Sequence, residues 1–265
     1  MLELDFMRSA FMAAAAVALI AGPVGYFLVL RGQTFAGHAL AHVGFTGATG
    51  AVLLGLPPLA GLMALTVVAG LGMGLFGARL ANRDIAIGMV LALSLGFGLL
   101  FLHYFKSSAT QASALLFGNI LAITAQTLSV LVVISALCLA LLLAISRPLL
   151  LASLQPDLAE AKGVSLAGLS TLFMVVVALA TAATSQIVGV LLVFALMVGP
   201  GATALRLSTS VMAGLFVAAG LALVEAWAGL ALAYFTDWPV SFWITALAVA
   251  FYATSAVLAR RPGHG

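Results

Sequence analysis

Leu128–Ile145, LSVLVVISALCLALLLAI, carries no charged residue and no alternation of polar with apolar positions. A half-buried strand reads with a period of two, and the strands of a membrane barrel do the same. An unbroken apolar run of this length is therefore a helix that crosses hydrocarbon. The rest of the chain has the same character: 65% of its 265 residues are hydrophobic and 6% are charged, against about 25% charged in soluble domains. In lipid only helices or closed barrels satisfy the backbone polar groups. The fold class is all-α, a polytopic transmembrane helical bundle forming a single domain over 1–265, with no internal repeat of fixed period and no low-complexity linker.

Outward from that run, windows of about 19 residues place nine spans, at 10–30, 35–55, 58–78, 85–105, 122–146, 168–187, 189–205, 210–234 and 240–258. At Gly189 the alternative is a re-entrant hairpin, or eight spans in all. The first run follows Glu3 and Asp5 with only Arg8, and its next basic residue is Arg31. That polarity is wrong for a secretory leader, so the run is read as a retained helix. Lysine and arginine gather on the cytoplasmic side of membranes. With the N-terminus outside, Arg31, Arg79, Arg83, Arg147, Lys162, Arg206, Arg260 and Arg261 fall inside, leaving Arg8 and Lys106 outside; the C-terminus is then cytoplasmic. The net charge of +3 comes from residues set singly between spans, which argues against a nucleic-acid partner and for the bilayer.

Two connections exceed a turn. Segment 106–121, outside on this topology, reads as a polar loop leading into a helix that dips to the membrane. The cytoplasmic loop 148–167 contains QPDLAEAKGV, a short helix with Pro156 and Asp157 at its start and Gly163 closing it. An exposed short helix between two spans is a docking element for a cytoplasmic partner.

The chemistry-bearing residues are few. In RGQTFAGHALAHVGFTGATGAVLLG, 31–55, His38 and His42 stand four apart, so a helix sets both imidazoles on one face. They are either packing residues bonded to backbone carbonyls or a metal-path pair. Two imidazoles suit a borderline cation such as zinc and leave room for water and release. Glu225, in LALVEAWAGLALAY, lies mid-span, where inserting an acid costs about 2.5 to 3.5 kcal/mol. It reads equally as a carboxylate on the cation path and as an interhelical hydrogen bond. His103, beside Tyr104 and Lys106, reads as interfacial. Asp237 in YFTDWPVSFW reads first as a turn former within an aromatic belt of Tyr234, Trp238 and Trp243; both it and His103 are secondary candidates for a pathway mouth. The glycines at 44, 47, 50, 70, 74 and 77 read as close helix contacts, Cys138 as packing, and His264 as a solvent-exposed tail residue. No catalytic residue is assigned: the chain has no P-loop, HExxH or GxSxG, so ATP hydrolysis belongs to another chain if it occurs.

Four blocks together resemble the integral-membrane permeases of zinc/manganese-type ABC importers: GYFLVLRGQTFAGHALAHVGFTGA, LLFGNILAIT, QPDLAEAKGVS, and GVLLVFALMVGPGATALRL with GLALAYFTDWPVSFWI. The likeness implies a homodimeric permease in the bacterial cytoplasmic membrane, a cytoplasmic ATP-binding subunit docked beneath, and a metal-binding protein delivering the ion from outside. The coupling contacts would be Gln155, Pro156, Asp157, Leu158, Glu160 and Gly163. The family's histidine falls on His42 and its usual aspartate on His38, while Asn119 stands where an acid is common. Nitrogen in place of oxygen shifts the expected cargo from manganese toward zinc. No tightly bound cofactor is expected; the divalent metal is cargo, held in passing by His38 and His42 with Glu225 as a third contact. The rivals are a permease for a metal chelate of siderophore or cobalamin type and a stand-alone transporter using Glu225 as a proton carrier.

Overall fold

The structure, a computed structural model, describes residues 5–77, 83–104, 115–118 and 120–259. Ten helices of it matter here: α1 (Asp5–Leu30), α2 (Thr34–Leu53), α3 (Pro58–Gly77), α4 (Arg83–Tyr104), α5 (Ala125–Leu154), α6 (Pro156–Ala161), α7 (Leu166–Val188), α8 (Val193–Leu207), α9 (Val211–Thr236) and α10 (Val240–Ala259). Among the described residues there is no strand. Seven of these helices, α1, α3, α4, α5, α7, α9 and α10, are long and apolar enough to cross a membrane. The chain is a multi-pass helical membrane protein.

Each of the nine predicted segments maps to one helix, and three differ instructively. Helix α2 is long enough to span, but its histidines, threonines and glycines dilute its apolar character below the other seven. Helix α8 has 15 residues, about 22 Å at 1.5 Å per residue, short of the roughly 30 Å of hydrocarbon. It starts at Val193 rather than 189 because Gly189 ends α7 with φ 77°. A side chain at Gly189 would strike the backbone of residues 116–118, and the carbonyls of Leu115 and Leu116 accept hydrogen bonds from the Val190 and Leu191 N–H groups. Helix α5 does not stop near 146 but continues through Pro148 to Leu154. Proline removes one backbone bond there, and the apolar run LLLASL beyond it buries Leu149 completely. The loop expected over 148–167 therefore shortens to 155–165.

Within it α6 forms as expected. Pro156 opens the helix, where a missing N–H costs nothing. Lys162 caps it, and Gly163 follows at φ 80°; the Gly163 N–H reaches the Glu160 carbonyl at 2.8 Å and the Val164 N–H the Ala159 carbonyl at 3.0 Å. This paired closure needs a left-handed residue, hence the glycine. Thr124, Ser165 and Ser210 cap α5, α7 and α9, each accepting a backbone N–H with its side chain.

Helix α1 is the axis of one group, packed by α5, α7, α8 and α9, with α10 against α8 and α9. Its fully buried Ala10, Ala13, Ala14, Ala18 and Ala21 let neighbours approach. At Gly25 a Cβ would collide with the Met197 carbonyl of α8, and at Gly201 one would collide with Gly25. Small residues bring the two backbones into direct contact. Helices α2, α3 and α4 form the second group, joined to the first through α7. Gly47 meets Gly61 between α2 and α3, and Gly70 and Gly74 of α3 meet Met174 and Thr171 of α7, as the glycine spacing predicts.

Candidate functional site

On α2, His38 and His42 lie with ring centroids 4.8 Å apart and planes at 82°. The helix dictates this: four residues advance about one turn, so both rings leave the same face. His42 is buried, 8% exposed, and His38 is half-buried. Phe194, near the start of α8, meets the His38 ring edge-on at 5.9 Å. Among the described residues neither imidazole has a hydrogen-bond partner, so the reading of two rings tied to backbone carbonyls is not what the structure displays. The next turn of α2 is pinned instead: the Thr46 hydroxyl lies 3.5 Å from the His42 carbonyl oxygen and contacts the Ser94 carbonyl of α4.

Glu225 is elsewhere. It is completely buried on the face of α9 that also carries Ala218, Ala222, Ala226 and Gly229, and neither carboxylate oxygen has a hydrogen-bond partner. That face meets Gly22 of α1 through Ala218 and Ile244 of α10 through Gly229. Helix α2 packs on α3, α4, α7 and α8. Among the described residues no three His, Cys, Asp or Glu side chains come together to hold a metal ion. Among the described residues, therefore, Glu225 does not join the histidines as a third contact.

His103, exposed at the end of α4, faces its neighbour Tyr104 at 5.7 Å. Gly50 packs on Phe101, so this end of α4 lies beside the far end of α2, several turns from His38. Asp237 is the left-handed cap of α9, with φ 56° and its N–H on the Ala233 carbonyl. It borders a cavity of about 500 Å³ with Phe6, Met7, Leu121, Tyr234 and Trp238, and no α2 residue lines that cavity. Trp238 and Trp243 stack at 5.5 Å, as an aromatic belt predicts. On α6, Gln155, Pro156, Asp157, Leu158, Glu160 and Gly163 are all exposed, while Ala159 anchors the helix at 0% exposure. Cys138 is buried on α5 beside the Val176 carbonyl, as packing requires. Asn119, Lys106, Arg79, Arg260, Arg261 and His264 lie outside the described residues.

Sequence reasoning missed the surroundings of Arg31. Its Nη1 donates to Ser153 Oγ at 3.0 Å and its Nη2 to Ser170 Oγ at 2.9 Å. Those partners are 122 and 139 residues away, and a lone serine near a helix end carries no sequence signal for such a contact. Phe194 was equally invisible, one apolar residue in an apolar run.

Taken together, the helices and their polar residues define an integral-membrane helical bundle with a histidine pair on α2. The ABC 3 transport family model matches residues 3–259, and the chain belongs to that family. A manganese transport system membrane protein, MntC, of Listeria innocua is 29% identical over 88% of this chain and 84% of its own. A probable iron transport system membrane protein of Haemophilus influenzae is 30% identical over 95% of this chain and 93% of its own. Among solved structures, PsaBC from Streptococcus pneumoniae in complex with Fab superposes with a TM-score of 0.86 at 27% identity, covering 96% of this chain and 92% of that one. A putative metal-chelate type ABC transporter in an inward-facing conformation gives a TM-score of 0.72 at 20% identity, over 95% and 85% of the two chains, a likeness of fold alone.

Proposed function

We propose that this chain is the permease subunit of an importer that carries a divalent transition metal, zinc before manganese, into the bacterial cytoplasm. The observation that carries the reading is the imidazole pair, 4.8 Å apart on one helix face with its hydrogen-bonding capacity unspent. The names of the relatives, manganese for one and iron for another, support a metal cargo. The zinc preference rests on the donors: two ring nitrogens favour a borderline ion over manganese, which is better served by carboxylate oxygen.

Two donors make a weak site, which suits a cargo that must leave. Zinc takes four ligands, so a second copy of the chain presenting the same half-buried face would complete a transient shell, with water taking any position left open. The homodimer itself is what the resemblance to the permease family implies. On the positive-inside topology, the exposed residues of α6 receive a separate ATP-hydrolysing subunit, and the opposite side receives a metal-binding protein. ATP binding and hydrolysis would move α6 and switch the bundle between outward and inward openings.

The test is uptake by proteoliposomes containing this chain and its ATPase partner, supplied in parallel with radioactive zinc, manganese and a ferric chelate. ATP-dependent zinc uptake that is outcompeted by neither chelate nor proton gradient collapse is the expected result. Uptake of chelate alone, or uptake that persists without ATP, would replace this reading with one of its rivals.

A further inference from the structure

We propose that Arg31 is a coupling residue, a side chain through which displacement of α6 reaches the helix that carries His38 and His42. The inference rests on the importer reading above. Arg31 sits in the turn between α1 and α2, two helical turns before His38, and its Nε donates to Oε1 of Gln33, the residue immediately before α2, at 3.3 Å. Its two terminal nitrogens reach Ser153, one residue from the end of α5, and Ser170, one turn into α7. Those two helices are the arms from which α6 hangs. Helix α6 packs on α5 and α7, whereas α2 packs on α3, α4, α7 and α8 and, across the turn that holds Arg31, on α1.

The chemistry of each contact fits a rigid link. The Ser153 hydroxyl donates its own proton to the Leu149 carbonyl at 2.5 Å, which turns its oxygen lone pairs toward the guanidinium. The guanidinium is a planar fork with fixed donor directions, so it holds both serines in one geometry, as a lysine ammonium would not. The buried Phe173 ring of α7 lies beneath it, 5.6 Å from the guanidinium carbon. Beside the fork is a cavity of about 200 Å³ bordered by Arg31, Gln33, Gly74, Ala152 and Ser170, among others. The arms can therefore shift and draw Arg31 with them without repacking the dry core, where tight packing would resist.

The experiment uses the full chain with its ATPase partner in proteoliposomes, reading zinc uptake and phosphate release from the same vesicles. Arg31→Met keeps the bulk over Phe173 and removes the fork; the double variant Ser153→Ala, Ser170→Ala keeps the charge and removes the acceptors. In both, metal moved per ATP hydrolysed is expected to fall about tenfold, the loss of a typical coupling between sites. ATP hydrolysis and co-purification with the partner should stay within about twofold, and Arg31→Lys should restore little of the ratio. An unchanged ratio in both variants overturns the proposal. So does an equal fall of uptake and hydrolysis, which marks a general structural role. Should Arg31→Met fail to accumulate, the serine variant decides alone. A wild-type chain that moves no metal would instead sink the importer reading, and the coupling inference with it.

Discussion

Two helices of this bundle carry ionisable groups deep in apolar sequence, and they resolve in opposite ways. On α2, His38 and His42 stand together, one half-buried, beside Phe194 and with open hydrogen-bonding positions. On α9, Glu225 is completely buried on a face it shares with alanines and a glycine, and among the described residues neither of its oxygens has a hydrogen-bond partner. In the bilayer a polar residue is a functional candidate by default, but cost alone does not make a path. The histidines stand one turn apart on one face, His38 half-buried and His42 8% exposed, so two nitrogen donors share one neighbourhood. Among the described residues Glu225 joins no cluster of three His, Cys, Asp or Glu side chains.

The sharpest way to break that contrast is His42→Ala. It should lower zinc uptake by about 100-fold, as large as the loss when a metal ligand is deprived even of its supporting partner, with membrane abundance unchanged. Uptake at the wild-type level in proteoliposomes would remove α2 from the account. Next in size, His38→Asp trades one nitrogen donor for oxygen and should shift the zinc-to-manganese uptake ratio by about tenfold toward manganese. Competition between the two radioactive ions measures this directly, and a ratio that does not move would dissociate His38 from selectivity.

Glu225→Leu sharpens the comparison from the other side. Removing a buried group that has no partner should raise the detergent melting temperature, by the equivalent of about 1 to 3 kcal/mol. Zinc uptake should stay within about threefold of wild type. A large loss of uptake would show that the carboxyl serves the path in another conformation of the bundle. The smallest effect is expected at Asp237, whose φ of 56° is left-handed. Asp237→Gly should leave uptake unchanged and stabilise the α9 end by less than about 1 kcal/mol, since the residue borders a cavity lined by no residue of the histidine helix.

Much of this was legible beforehand because membrane helices announce themselves one at a time. The apolar runs, the Pro156-to-Gly163 segment and the four-residue spacing of the histidines are all local signals, and each appears as a helix, a capped short helix and a paired face. The misreadings arose where a local signal competed with a distant one. The polar break at Arg147 suggested an ending near 146, yet burial of Leu149 carried α5 on to Leu154. Gly189 suggested a simple boundary, yet its backbone contact with residues 116–118 delays α8 until Val193.

The sequence by itself determined that this is a bundle of membrane helices bearing two imidazoles on one face, because hydrocarbon enforces helix formation span by span and helical geometry sets the i, i+4 pairing. Only the tertiary structure decided which polar residues meet. It packed the Glu225 face of α9 against α1 and α10 and brought Ser153 and Ser170 to Arg31, since the order in which apolar helices pack depends on small-residue contacts such as Gly25 against Met197 that no single span displays.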